Sequence, residues 1–229
     1  MSAGKFPLRS YSVFFKPTII KTPGRIAVIG GTPFDAQLGK AFLEERQIES
    51  TAIGISSSPP ETAALYHHPR KLAQRFEEKV QPQNYQHLII YCNSLSFAGS
   101  WSQRYPGKVW ELKSAYQQII PRLDAQPALA LTAEVQLKNK LEALAHRLKP
   151  EGKLQVEARL DWVQELERLS PAEQVKTTRQ YLRDFCAQGY ATVILACTHF
   201  ENEVFAELEQ PRVLQPGLAM LERFVATQG

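Results

Sequence analysis

The chain has 229 residues, of which 44% are hydrophobic and 22% charged, a composition typical of a globular protein and not of a disordered or fibrous one. No stretch reaches the about 18 consecutive apolar residues that a membrane span needs, and the N-terminus lacks the features of a secretory signal peptide. We therefore expect a cytoplasmic protein with no membrane partner.

Lys and Arg together number 27, against 23 for Asp and Glu. This small positive excess has no clustered basic run, so we expect no nucleic-acid partner and a small-molecule ligand instead. The 3 cysteines are too few for a disulfide scaffold and are predicted to be free thiols in a reducing compartment.

Residues 1–24 contain prolines but no clear periodicity, which predicts an N-terminal arm. Beyond the arm, short apolar segments alternate with segments of helical periodicity. The predicted strands are 25–29, 50–55, 87–91, 108–112, 128–131, 153–157 and 191–196. Capping-box sequences predict helices from Ser58 to about Val80 and from Ser170 to about Gly189. The alternation predicts an α/β fold of parallel sheets flanked by helices.

Reactive and polar side chains stand where several of these strands end. Cys92 ends one strand and Cys197 ends another about half a chain away, each followed by small polar residues. Parallel sheets bind ligands beyond the carboxyl ends of their strands, so we expect both thiols to face one crevice. Cys186 differs, because it lies on the apolar face of a predicted helix and is expected to pack in the core.

Three motifs occur along the chain in the order Gly30-Gly31-Thr32 with Asp35, Cys92-Asn93-Ser94, and Cys197-Thr198-His199. In these residues the sequence, from about residue 25 to its end, resembles the Asp/Glu racemase superfamily of cofactor-independent amino-acid racemases. The resemblance implies two pseudo-symmetric α/β domains with the active site in the crevice between them. By that pattern, 25–118 with 211–229 form the first domain and 119–210 the second.

The resemblance also implies a reaction that uses no cofactor. One cysteine thiolate removes the α-proton of an aspartate- or glutamate-like amino acid, and the other thiol returns a proton to the opposite face. Asp35 would assist Cys92 and His199 would assist Cys197. The residues expected to hold the substrate are Thr32, Asn93, Ser94, Thr132 and Thr198. A thiol suits this work, since its ordinary pKa of about 8.5 allows it to serve as both acid and base.

Several alternatives stay open at this point. Val135 stands where glutamate racemases carry a second Thr, so the substrate is not fixed. A decarboxylase or isomerase of the same superfamily would need one thiol, and a binding protein for small carboxylates would need neither. A zinc site built from the thiols lacks the usual ligand spacing. Family members often form homodimers, for which the arm around Phe14-Phe15 is a candidate interface, although it equally suits a lid or packing on its own chain.

Overall fold

The structure, a computed structural model, describes residues 25–202, 204–205, 208 and 210–228. The predicted arm over 1–24 lies outside the described residues. Within them the chain forms two four-stranded sheets in which every paired strand is parallel. No helix in this described part is long and apolar enough to cross a membrane.

The first sheet contains β1 (Ile26–Gly30), β2 (Thr51–Gly54), β3 (His87–Ile90) and β4 (Val109–Glu111), in the spatial order β2-β1-β3-β4. The second contains β5 (Ala128–Thr132), β6 (Leu154–Ala158), β7 (Thr192–Leu195) and β8 (Arg212–Leu214), in the order β6-β5-β7-β8. The two orders are the same, so β3 and β7 occupy equivalent positions. The predicted α/β class with pseudo-symmetric halves is confirmed.

The helices of the first half are α1 (Pro33–Glu44), α2 (Pro59–Tyr66), α3 (Pro69–Val80), α4 (Asn93–Ala98), α5 (Trp101–Arg104) and α6 (Leu112–Ile119). Those that follow are α7 (Val135–Leu148), α8 (Leu160–Leu166), α9 (Pro171–Ala187) and α10 (Pro216–Ala226). Short 3-10 helices cover Gln81–Gln83, Ile120–Arg122 and Thr198–Phe200. We call the first sheet with α1–α6 the first lobe, and the second sheet with α7–α9 the second lobe.

A central apolar cluster joins the lobes. It combines Val28 of the first sheet and Ala130 of the second with side chains of α1, α6, α7 and α10, such as Leu141 and Phe224. Separate clusters cover the outer faces of the two sheets. Each sheet is thus apolar on both sides, as parallel sheets require, and the shared cluster fixes the lobes against each other.

Two sequence predictions need correction. The helix predicted from Ser58 to about Val80 is broken at His68, which has φ −126° and ψ 75°, because a residue that precedes proline, here Pro69, is disfavoured in helical conformation. The predicted return to the first domain at 211 comes later, because β8 pairs with β7 of the second sheet. Only α10 then packs back on α6 and α1 of the first lobe.

Candidate active site

The two cysteines that end β3 and β7 have nearly the same backbone conformation. Cys92 has φ −157° and ψ 124° and precedes α4, and Cys197 has φ −147° and ψ 129° and precedes the 3-10 helix Thr198–Phe200. Their exposed fractions are 8% and 7%. The pseudo-symmetry of the sheets therefore places two equivalent, buried thiols at the carboxyl ends of matching strands.

Both thiols line one cavity of about 40 Å³ between the lobes. That volume has room for only a few water molecules. The lining residues are Thr32, Asp35, Pro59, Thr62, Tyr66, Cys92, Asn93, Ser94, Ala133, Glu134, Leu160, Val163, Ala196, Cys197, Thr198 and His199. Every site residue that the sequence predicted is among them except Thr132.

Cys197 lies beside a chain of titratable groups. Its Sγ is 3.6 Å from His199 Nδ1, and the same Nδ1 is 3.1 Å from Asp35 Oδ1. On the other side of the ring, Nε2 is 2.9 Å from Glu167 Oε1. Phe34 stacks on the imidazole with 5.0 Å between ring centroids. The ring is therefore fixed in position, with a carboxylate at each nitrogen.

This arrangement favours a charged imidazole. Burial acts to lower the pKa of His199, but the negative charges of Asp35 and Cys197 outweigh burial and raise that pKa well above its ordinary value. Burial acts to raise the pKa of Asp35. This effect is outweighed by the charge and hydrogen bond of His199 and by hydrogen bonds from Thr198 and Thr32, so the pKa of Asp35 is lowered. Asp35 and His199 thus form a buried ion pair next to the Cys197 thiol.

Cys92 has different neighbours. Its Sγ is 3.5 Å from Tyr66 Oη, and the backbone N–H of Leu95 in α4 also bonds to it. Burial and the negative charge of Asp35 raise the pKa of Cys92 to about 12, against the opposing hydrogen bonds from Tyr66 and Leu95. At neutral pH Cys92 is therefore a protonated thiol.

Two expectations about individual residues change. Asp35 was expected to assist Cys92, but it accepts hydrogen bonds at Oδ1 from Thr198, at 2.8 Å, and from His199, so it acts on the Cys197 side. Its place at the third residue of α1 turns the carboxylate back to the N-cap Thr32, which also faces the second lobe. Thr132 is fully buried and donates its hydroxyl to the carbonyl oxygen of Glu134 instead of facing the cavity.

Asn93 lines the cavity and has one side-chain donor without a partner among the described residues. Its side-chain oxygen accepts a hydrogen bond from Tyr116, whereas its Nδ2 is buried without a partner among the described residues. Ser94 follows it at the start of α4. Buried donors are almost always paired, so a free N–H in this place suits an anionic ligand.

Glu134 adds a half-buried carboxylate to the cavity lining. It precedes α7 without capping that helix. Burial raises its pKa, and the nearby His67 opposes the shift. Among the described residues that line the cavity there is no Lys or Arg.

No sequence motif marks Tyr66, Glu134 or Glu167 as site residues. Tyr66 falls inside a long predicted helix, and the only signal of its position is Pro69, which ends that helix early. Glu167 lies just after α8 in a charged segment with no motif of its own. Their proximity to the thiols depends on how the two lobes face each other, which local sequence patterns do not encode.

Comparison with known proteins finds relatives of this fold among solved structures. No protein-family model and no curated protein sequence matches the chain. Among solved structures it is similar to a glutamate racemase isoform from Bacillus anthracis, with a TM-score of 0.65 and 17% identity over 90% of this chain and 82% of that one. It is also similar to the aspartate racemase of Picrophilus torridus, with a TM-score of 0.59 and 10% identity over 90% and 95%.

A third similar structure is the allantoin racemase from Klebsiella pneumoniae, with a TM-score of 0.55 and 17% identity over 89% of this chain and 88% of that one. By their names these three proteins are racemases of different compounds. The resemblance inferred from the cysteine motifs is thereby confirmed at the level of the fold. The chain shares the fold of these three racemases.

Proposed function

We propose that this protein is a cofactor-independent racemase that inverts the α-carbon of an amino acid, with Cys92 and Cys197 as its two acid–base groups. The observation that supports this function most directly is that two equivalent strand-end thiols, one from each lobe, line the same small cavity. Inversion at carbon requires a base on one face and an acid on the other. Two groups of the same kind can exchange these roles between turnovers.

In one direction the Cys197 thiolate takes the α-proton and becomes a thiol, and the electron pair of the C–H bond is delocalised onto the α-carboxylate. The Cys92 thiol then gives its proton to the opposite face of the planar carbanion and becomes a thiolate. The reverse direction exchanges the two cysteines. His199 supports the first step, since a protonated imidazole 3.6 Å from Sγ stabilises negative charge there.

Carbanion formation at an amino acid is unfavourable in water, so the carboxylate that receives the charge must be held by donors. We assign this to the Nδ2 of Asn93, with the hydroxyl of Ser94. The hydroxyls of Thr32 and Thr198 line the same cavity but donate to the Asp35 carboxylate. The Asn93 amide is fixed by Tyr116, so it needs no reorganisation when charge develops.

Glu134 supports an amino acid over an uncharged compound as the substrate. A half-buried carboxylate in the lining would pair with the ammonium group that every amino acid carries. Aspartate and glutamate are the substrates that the sequence motifs suggest. Because the described lining has no Lys or Arg, neutral donors would have to hold their side-chain carboxylates.

Isotope exchange in heavy water tests this function without presuming the substrate. The purified protein is incubated with each D- and L-amino acid, beginning with aspartate and glutamate, and with allantoin as the neutral comparator. We expect deuterium at the α-carbon together with loss of optical purity for at least one amino acid. Absence of exchange from every compound would favour a binding protein that has the fold without the reaction.

Serine variants then test the two thiols. Cys92→Ser and Cys197→Ser should each lower racemisation about 100-fold or more in both directions, since each removes one acid–base group. Cys186→Ser is the matched control, because Cys186 lies in α9 away from the cavity and should leave the rate unchanged.

The raised pKa of Cys92 favours one second candidate, an isomerase or decarboxylase of the same superfamily in which a single thiol works. Such an enzyme acting through Cys197 would retain most of its rate after Cys92→Ser. A racemase would lose its rate with either substitution, so the same pair of variants distinguishes the two functions.

A further inference from the structure

Tyr66 is a neighbour of Cys92 that the reaction scheme above does not use. It is the last residue of α2, and its Oη lies 3.5 Å from Cys92 Sγ inside the cavity. One turn earlier in the same helix, Thr62 bonds to the carbonyl oxygen of Gly31 at 3.2 Å. This bond ties α2 to the loop after β1 and so positions the tyrosine over the thiol.

Gly31 leaves the space in which the two groups meet. A Cβ at residue 31 would stand 3.1 Å from Cys92 Sγ and 3.2 Å from Tyr66 Oη. Both distances are shorter than ordinary carbon contacts, so any side chain at this position would push the hydroxyl and the thiol apart. The glycine, the tyrosine and the cysteine therefore form one packed unit.

The two thiols consequently have partners of different kinds. Burial, followed by the charge of Cys92 and its hydrogen bond, raises the pKa of Tyr66 well above its ordinary value, so the phenol keeps its proton throughout the accessible pH range. His199 beside Cys197 can carry a positive charge, whereas Tyr66 stays neutral and can stabilise a thiolate only through its hydroxyl hydrogen. The other negative charges that act on Tyr66 or Cys92 are those of Asp35, Glu134 and Cys197. Negative charge near Cys92 opposes its thiolate form.

We propose that Tyr66 is a catalytic residue that donates its hydroxyl hydrogen to Cys92 Sγ and stabilises the thiolate form of that cysteine in each turnover. The role rests on the proposed two-thiol reaction, in which Cys92 is a thiolate after it has protonated the carbanion. No imidazole or cationic side chain lies against this thiol among the described residues. The phenol and the Leu95 N–H are its stabilising donors.

The test measures the Cys92 thiolate directly and so does not depend on knowing the substrate. In a Cys186→Ser, Cys197→Ser background Cys92 is the only thiol of the chain. Its alkylation rate by iodoacetamide is followed between about pH 7 and pH 9, where only the thiolate reacts. Adding Tyr66→Phe should slow alkylation about tenfold, the effect of one lost hydrogen bond to a charged group.

Tyr85→Phe is the control, because Tyr85 is a buried tyrosine of the same apolar cluster whose hydroxyl bonds to Gln83 instead. It should leave the alkylation rate unchanged. Repeating the measurement with a bulkier maleimide separates ionisation from access, since a smaller thiolate fraction slows both reagents by the same factor. An unchanged or faster rate with Tyr66→Phe would overturn the role of Tyr66.

Activity gives a second readout in the chain with all three cysteines. Tyr66→Phe should lower kcat for racemisation about tenfold with little change in KM. The reason is that the hydrogen bond from Tyr66 stabilises the Cys92 thiolate, which forms only after substrate has bound. A wild-type protein that exchanges no α-proton would refute the proposed function, whereas the alkylation result would still decide whether Tyr66 stabilises the Cys92 thiolate. The two failures are therefore distinguishable.

Discussion

The single side chain with the most connections at this site is His199. Its two ring nitrogens contact Asp35 and Glu167, its ring face stacks on Phe34, and Nδ1 also approaches Cys197 Sγ. A histidine between two carboxylates gains a proton readily and loses it with difficulty. Its charge is therefore set by its neighbours, chiefly by Asp35.

Asp35→Asn tests this dependence. The substitution retains the shape of the side chain but removes the charge that raises the pKa of His199, so we expect that pKa to fall. Racemisation should decrease about tenfold or more, since Cys197 loses a cationic neighbour. Titration of the His199 ring by NMR checks the first point, and a histidine that titrates as in the wild-type protein would contradict it.

Glu134→Gln tests substrate recognition at the same scale. The variant retains size and polarity but has no charge to pair with an ammonium group. We expect KM to rise about tenfold with kcat little changed, because the contact is made equally in the ground state and the transition state. Steady-state kinetics with the amino acid found by isotope exchange measures both constants. A fall in kcat alone would assign Glu134 a role in the chemical step instead.

At the scale of the elements, α1 brings the first lobe into contact with the second. Thr32 caps this helix, accepting a hydrogen bond from the Asp35 backbone N–H at 3.3 Å, while the Asp35 carboxylate accepts one from the Thr32 N–H at 3.1 Å. The capping box thus has two functions. It begins the helix, and it holds the carboxylate that reaches Thr198 and His199.

Thr32→Ala should lower the free energy of unfolding by about 1 kcal/mol, the usual cost of losing an N-cap side chain. It should also lower activity, because the Asp35 side chain and backbone lose their contacts with the Thr32 hydroxyl. Thr32→Ser is the matched control, since it retains the hydroxyl and should restore most of both properties. Urea unfolding monitored by circular dichroism gives the stability. Equal loss with serine and alanine would show that the methyl group, and not the cap, is what matters.

Much of the fold follows from sequence because its signals are local. Apolar segments such as 128–131 and the capping box at Ser170 predict β5 and α9 with bounds close to those observed. The short edge strand β8 has no such signal, since its residues are half-exposed and their strand conformation depends on pairing with β7. At the site, the strand-end cysteines are visible in the sequence, but the partner of Asp35 is decided by contact between the lobes.

At the scale of the whole molecule, side chains link the lobes on both sides of the cavity. Gln136 of α7 lies 2.8 Å from the His67 ring at the end of α2. Glu201, which follows the second cysteine motif, accepts hydrogen bonds from the backbone N–H groups of Gly217 and Leu218 at the start of α10 and from Tyr91. Burial raises the pKa of Glu201 to about 8, against these three donors.

Stability should therefore decrease as pH rises from about 5 to about 8. Glu201 binds a proton more tightly in the folded state, so its contribution is lost between its ordinary pKa of 4.5 and its folded pKa of about 8. His199 acts in the same direction, because its raised pKa gives a contribution that is complete below 6.5 and lost as pH rises through the folded value. His87 opposes them, since burial lowers its pKa.

Urea unfolding at a series of pH values measures this slope. The His199→Gln variant should show a weaker decrease above about pH 6.5, because the His199 contribution is absent there. Stability that rises from pH 5 to pH 8 would contradict the assignment of raised pKa values to both groups.

The burial of both active-site thiols also affects their resistance to oxidation. Peroxide and other electrophiles attack exposed thiolates, and Cys92 and Cys197 are almost completely shielded, whereas Cys186 on α9 is partly open to solvent. Oxidation should therefore reach Cys186, which lies outside the cavity, first. Under oxidative stress the protein would retain its buried pair of thiols while the cysteine of α9 is consumed.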